Sequence, residues 1–166
     1  LREVDDLRLL DSICSLLADK YRGVPVYIED VPEGFQRPSF LVTLATEGTN
    51  LLNKNVYRDT PIYQIVYFGR INASEQVYSE RLYKVKEELK ALFLLPGAIP
   101  VISEKGSREK QQKQRYAKLT SYSSEIRLSE KSLYTKIGLD FTEDTKQEKE
   151  YELIQEIDLE MNTRKN

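Results

Sequence analysis

The 166-residue chain has no histidine. That removes the commonest general base, the usual catalytic zinc ligand and every Ser-His or Cys-His nucleophile pair. Most hydrolase chemistries go with it. The single cysteine, Cys14, cannot form an internal disulfide and, among leucines in a helical pattern, reads as a small core hydrophobe. No apolar run approaches the roughly 20 residues needed to span a bilayer. The first residues, LREVDDLR, are too charged for a secretory signal, so the expectation is assembly inside the cell with no membrane partner. Charges nearly balance, 25 basic against 27 acidic, and no global field points to nucleic acid or an anionic surface.

What is present is enough for one domain that folds without disulfides or a structural metal. From Val4 to Tyr21, Leu10, Ile13, Leu17 and Tyr21 recur three and four apart, the pattern of a helix with a broad buried stripe. Gly23 and Pro25 end it. PVYIE reads as a short strand and VPEGF as a turn, with Pro fixing φ and Gly free to take a positive φ. PSFLVTLAT and PIYQIVYFG are strands apolar on both faces, so both sides need cover. The intervening EGTNLLNKNVYRD, rich in Gly, Asn and Asp, reads as a long polar hairpin loop carrying Leu51 and Leu52. Asn72 with Glu75 offers a capping box for a second helix, in which Tyr78, Leu82, Val85, Leu89 and Leu92 keep a 4-3-4-3 spacing until Pro96-Gly97.

AIPVIS is a short strand, LTSYSSEIRL and SLYTKIGLDF are two more, and a hairpin through Ser129-Glu130-Lys131 joins the last two. In the final strand Leu133, Ile137, Leu139 and Phe141 share one face. Between the first and second of these strands runs a basic arm, 104–118, holding Lys105, Arg108, Lys110, Lys113, Arg115 and Lys118 against Glu104 and Glu109. Without stacking aromatics beyond Tyr116, such an arm suits a phosphate backbone or an acidic protein rim, or is simply solvated. The fold expectation is α+β: a mostly antiparallel sheet with two helices packed on it, over residues 1–143. A charged extension, 144–166, follows, with Tyr151, Leu153, Ile157, Leu159 and Met161 at the even spacings of an add-on strand, although Tyr151, Ile154 and Ile157 also suit a helix.

No catalytic, cofactor-binding or metal-binding residues are assigned. The best carboxylates for a Mg²⁺-dependent nuclease, Glu29, Asp30 and Glu125, have no spacing that places them together. A nucleic-acid-binding module working through the basic arm is the other alternative to a structural protein.

The order Tyr27, Ile28, Glu29, Gly34, Phe35, Arg37, Pro38, Ser39, Phe40, followed by an aromatic-rich strand ending in YFG, resembles the phage tail terminator, or tail completion, family. The resemblance runs from about Leu7 to Phe141. It implies a homo-oligomeric ring, usually of six subunits, that sits on the last ring of tail tube protein, stops its growth and offers a surface to a sheath or head-tail connector. Contact with DNA would occur only in passing. On that reading the subunit and tube interface candidates are Arg37, a partner for a carboxylate, the hairpin residues Asn50, Leu51, Leu52 and Asn53, and Tyr63 and Tyr67. A neighbouring subunit would cover the second apolar face of the sheet, unless the terminal segment folds back over it. The basic arm and the extension depart from shorter family members.

Overall fold

The structure, a computed structural model, describes residues 4–54, 56–102 and 114–144. Helix α1, Val4–Lys20, buries Leu9, Leu10, Ile13 and Leu17, which fall on one side at helical spacing. Six strands form one sheet: β1 Val26–Ile28, β2 Ser39–Asn53, β3 Val56–Phe68, β4 Ala98–Pro100, β5 Tyr116–Arg127 and β6 Ser132–Asp144. Their order is β1-β2-β3-β6-β5-β4, antiparallel except for the β1–β2 pair. The expected α+β architecture is thus what the chain adopts.

Helix α1 packs on β1 and β2 and also on β4, at the far end of the strand order. The sheet therefore curls around it. A polar tie fastens the far edge: the Ile102 N–H donates to Ser12 Oγ at 3.0 Å, and the Ser12 hydroxyl donates to the Arg8 carbonyl at 2.6 Å. At the near side Phe40 sits between Tyr21 and Tyr67, with ring centroids 4.9 and 5.0 Å away. Cys14 is half-buried against this core, and burial, with Asp11 nearby, pushes its thiol up to about 11, which keeps it protonated and unreactive near neutrality.

Three local expectations need correction. The segment read as a polar hairpin loop is strand: β2 and β3 stay paired from Ser39↔Phe68 to Asn53↔Val56, and β6 pairs along β3 to Val56↔Asp144. Turn-forming residues there are overridden by ladder bonds from a strand far along the chain. Asn72 does not cap a helix. Its Oδ1 accepts from the Ser74 and Gln76 N–H groups instead, and helix α2, Ser79–Leu89, starts later without a side-chain cap. The even 4-3-4-3 seam also breaks. Leu82, Val85 and Leu89 are buried, but a π turn, Lys90–Leu94, shifts the inward position to Phe93 and leaves Leu92 half-buried, as an extra residue per turn must.

The two-sided apolar strands are explained by unequal cover. Tyr63, Ile65 and Tyr67 face the helices, aligned with Ile137, Thr135 and Leu133 of β6. On the opposite face Val66 is buried, and Phe35 of the turn before β2 lies on Phe68 with centroids 4.5 Å apart. Gly34, at φ 67°, gives that turn a conformation that costs a side chain.

The π-turn register makes a direct prediction. Leu82→Ala and Leu89→Ala should each cost about 2–5 kcal/mol, Phe93→Ala about 3–5 kcal/mol, and Leu92→Ala clearly less, because only the buried side chains leave cavities. Urea unfolding checks this, and equal losses for Leu92→Ala and Phe93→Ala would contradict the shifted seam.

Candidate functional site

Beyond the curled core, β2 and β3 continue as an arm. Every residue of β2 from Leu44 to Asn53 is exposed, and at about 3.3 Å per residue this stretch reaches about 30 Å. A bulge between Leu44 and Thr46 marks where it leaves the core, and bulges bend and twist the strand that carries them. The arm is braced across its strands. Thr49 Oγ1 donates to Asp59 Oδ1 at 2.7 Å, Thr60 Oγ1 donates to the Gly48 carbonyl at 2.9 Å, and Arg58 Nε lies 3.3 Å from Asp140 Oδ1 on β6. Asn53 Oδ1 accepts from the Val56 N–H at 3.0 Å and closes the turn. Asn50 stands across from Arg58 and Leu51 across from Tyr57. At this tip Leu51 is 74% and Leu52 50% exposed.

Arg37 has a different role from the carboxylate partner expected. Its Nη1 donates to the Gly69 carbonyl at 3.1 Å and to the Lys131 carbonyl at 3.3 Å, while its guanidinium lies 5.4 Å from the ring centroids of both Phe35 and Phe68. Planar cations suit two-carbonyl, two-ring sites of this kind. Arg37 therefore ties the turn before β2 to the end of β3 and to the β5–β6 turn of its own chain. Gly69 is required at this junction, since a Cβ there would meet Val77 Cγ2 at 2.7 Å and Leu82 Cδ2 at 2.9 Å.

Tyr63 and Tyr67 lie inside the chain's own core. Both are buried in the core, at 0% and 2% exposure, and are packed under the helices rather than offered to another subunit. Of the basic arm, Arg115 and Lys118 are exposed at the start of β5, whereas Lys105, Arg108, Lys110 and Lys113 lie outside the described residues, as does the add-on strand expected at 151–161. Glu29 and Asp30 follow β1, while Glu125 is on β5 and pairs with Arg127 at 3.1 Å. Three strands separate β1 from β5, so these carboxylates do not converge. Among the described residues no group of His, Cys, Asp and Glu could hold a metal ion.

An open cleft of about 860 Å³ lies between the end of α1, the end of β3 and the start of α2, lined by Tyr21, Tyr67, Arg70, Arg81 and Lys84 among others. Burial pushes the Tyr21 phenol well above its ordinary range, and Glu88 adds to the shift; burial likewise raises Tyr67, which Arg81 partly offsets. Neither phenol exchanges a proton near neutrality. Sequence reading missed a cluster at the β5–β6 turn, where the Arg127 guanidinium lies 4.0 Å from the Tyr134 ring centroid, Arg127 pairs with Glu125 and Glu130, and the Tyr134 hydroxyl donates to Glu130. The signal was the alternation of Glu125, Arg127 and Tyr134 on one face, legible only once the register is known.

Among the described residues the cleft and clusters assemble no nucleophile with a base, whereas the leucine-tipped arm is a long exposed construction. A family model described as phage tail terminator protein matches residues 8–152. The chain belongs to the phage tail terminator family. No curated protein matches it. As a tail terminator it is a structural component of the phage tail, and it interacts there with other tail components.

Three phenols, Tyr21 and Tyr67 buried and Tyr122 half-buried, give this terminator an alkaline weakness. Burial, with Glu87 adding to it, pushes Tyr122 up to about 12, against an ordinary value of 10, and Tyr21 and Tyr67 move the same way. A phenol whose folded value is raised contributes stability that is complete below pH 10 and is lost as pH climbs through its folded value. Melting temperature should therefore fall between pH 10 and about 12, and Tyr122→Phe should make that fall shallower. An unchanged slope in the variant would contradict the assignment.

Proposed function

We propose that this terminator assembles, in the host cytoplasm, into a closed ring of six copies on the last ring of tail tube protein. The ring stops tube growth and presents its other side to a sheath or head-tail connector. The exposed leucine pair on a braced arm carries this reading, and membership of the family supports it. An apolar pair held about 30 Å beyond the core gains nothing from the monomer's own interior. Fully buried on a neighbour, each leucine contributes about 1.5–3 kcal/mol.

The arm's cross-strand bonds matter for docking. Ordering a free loop would cost about 1–2 kcal/mol per residue, and a strand pair already in register avoids most of that. Repetition around a ring then multiplies a modest contact into a durable cap. The DNA that passes such a ring meets it only in transit.

The test is length control. Tubes assembled with the Leu51→Ser, Leu52→Ser double variant should grow overlong or lack the cap in electron micrographs, while the variant's melting temperature stays unchanged. Normal-length, capped tubes with that variant would overturn the arm's role.

A further inference from the structure

The cleft at the start of α2 and the leucine tip lie at opposite ends of one strand pair. Pro38 and Tyr67 line the cleft, next to the Ser39↔Phe68 pair that begins the β2–β3 ladder, whereas Leu51 and Leu52 come just before its last pair, Asn53↔Val56. At about 3.3 Å per residue the two ends are about 45 Å apart. In a ring whose arms hold the tube, the cleft belongs to the side away from it.

The lining combines apolar surface with hydrogen-bond donors. Val24, Pro38 and Val77 lie beside the rings of Tyr21 and Tyr67. Arg70 and Lys84 are exposed there, and neither meets a carboxylate among the described residues. Arg81 differs, because Glu88 pairs with it at 3.6 Å. Tyr21 is only 6% exposed, and its hydroxyl reaches no hydrogen-bond partner among the described residues. Helix α2 also begins here, at Tyr78, without a side-chain cap, so its first turn adds backbone donors. Against these stands one acid of the lining, Glu80.

This wall is built before any ligand arrives. The Tyr78 N–H donates to the Arg70 carbonyl at 3.2 Å, the Gly69 N–H donates to the Lys131 carbonyl at 2.9 Å, and Ile71 pairs with Val77. Groups already in place lower the ordering cost of binding. The volume, about 860 Å³, is that of an ordinary ligand site.

We infer that the cleft binds an acidic peptide segment of the head-side partner. A carboxylate of that segment meets Arg70 and Lys84, and an adjoining apolar side chain packs on Val24, Pro38 and Val77. The inference rests on the ring reading and names the contact on the side away from the tube. An excess of donors selects an acceptor, and an apolar lining beside them selects a peptide that carries both characters. Nucleic acid fits less well, since backbone binding draws on a track of many cations.

Fluorescence anisotropy of the full chain with a labelled Asp-Leu-Asp-Phe peptide tests the chemistry, and a Lys-Leu-Lys-Phe peptide is the control. The acidic peptide should bind, more weakly as salt rises. Arg70→Glu with Lys84→Glu should weaken it about tenfold or more at unchanged melting temperature, whereas Arg70→Lys with Lys84→Arg should keep most of the binding. Tails carrying the double Glu variant should be capped and of normal length in electron micrographs but lack the head-side partner. Equal binding of both peptides, binding that survives charge reversal, displacement by duplex DNA, or normal head-side joining would overturn the inference and leave the ring reading in place. So would faster amide exchange across 145–166 in the double Glu variant, which would assign the cleft to the chain's own acidic end. Unaltered protein that caps no tubes would instead overturn the ring reading, whatever the peptide does.

Discussion

The pairing of β3 with β6 runs without a register shift from Phe68↔Ser132 to Val56↔Asp144. One half of this ladder lies under the helices and holds Tyr63, Ile65, Leu133 and Ile137; the other half is the inner wall of the arm. Both of its neighbours carry irregularities, β2 at Leu44/Thr46 and Leu51/Asn53 and β5 at Leu119/Ser121. Bend and twist are thereby taken up at the flanks while the central pair stays continuous. The arm is consequently an extension of the core's own hydrogen-bonding, and a load on its tip is carried into the packed domain.

Division of labour follows from that continuity. Apolar area is spent where helices can cover it, with Phe40 between Tyr21 and Tyr67 and Leu82, Val85, Leu89 and Phe93 on the second helix. Polar cross-strand bonds hold the arm, where no core exists to do so. Arg37 locks the junction through two carbonyls and two rings of its own chain. Exposed apolar surface remains at the leucine tip and at Leu95.

Much of this was legible in the sequence. Helical spacing gave α1 to within a residue, and the turn chemistry around Gly34 and Pro38 placed the start of β2. The family, too, could be read from Tyr27 to Phe40 and the YFG strand end. The arm could not, because Gly48, Asn50, Asn53 and Asp59 each favour turns locally and the strand that overrides them, β6, lies far away in sequence. The burial of Tyr63 and Tyr67 is not legible either, because a two-sided apolar strand looks undercovered until the helices take one face and Phe35 part of the other. The π turn has no local code at all. It shows itself only in Phe93 facing inward where Leu92 was expected.

The central claim is that the arm exists, with its strands in register, before any partner is met. Amide hydrogen exchange on the free protein at low concentration tests it most directly. The account predicts protection at alternate residues of 46–53, which pair on one side only, and at successive residues of 56–59, which lie between β2 and β6, continuous with the protection of the core end of β3. Complete exchange of those amides within the dead time, with the core still protected, would show a loop that orders only on docking and would contradict the account.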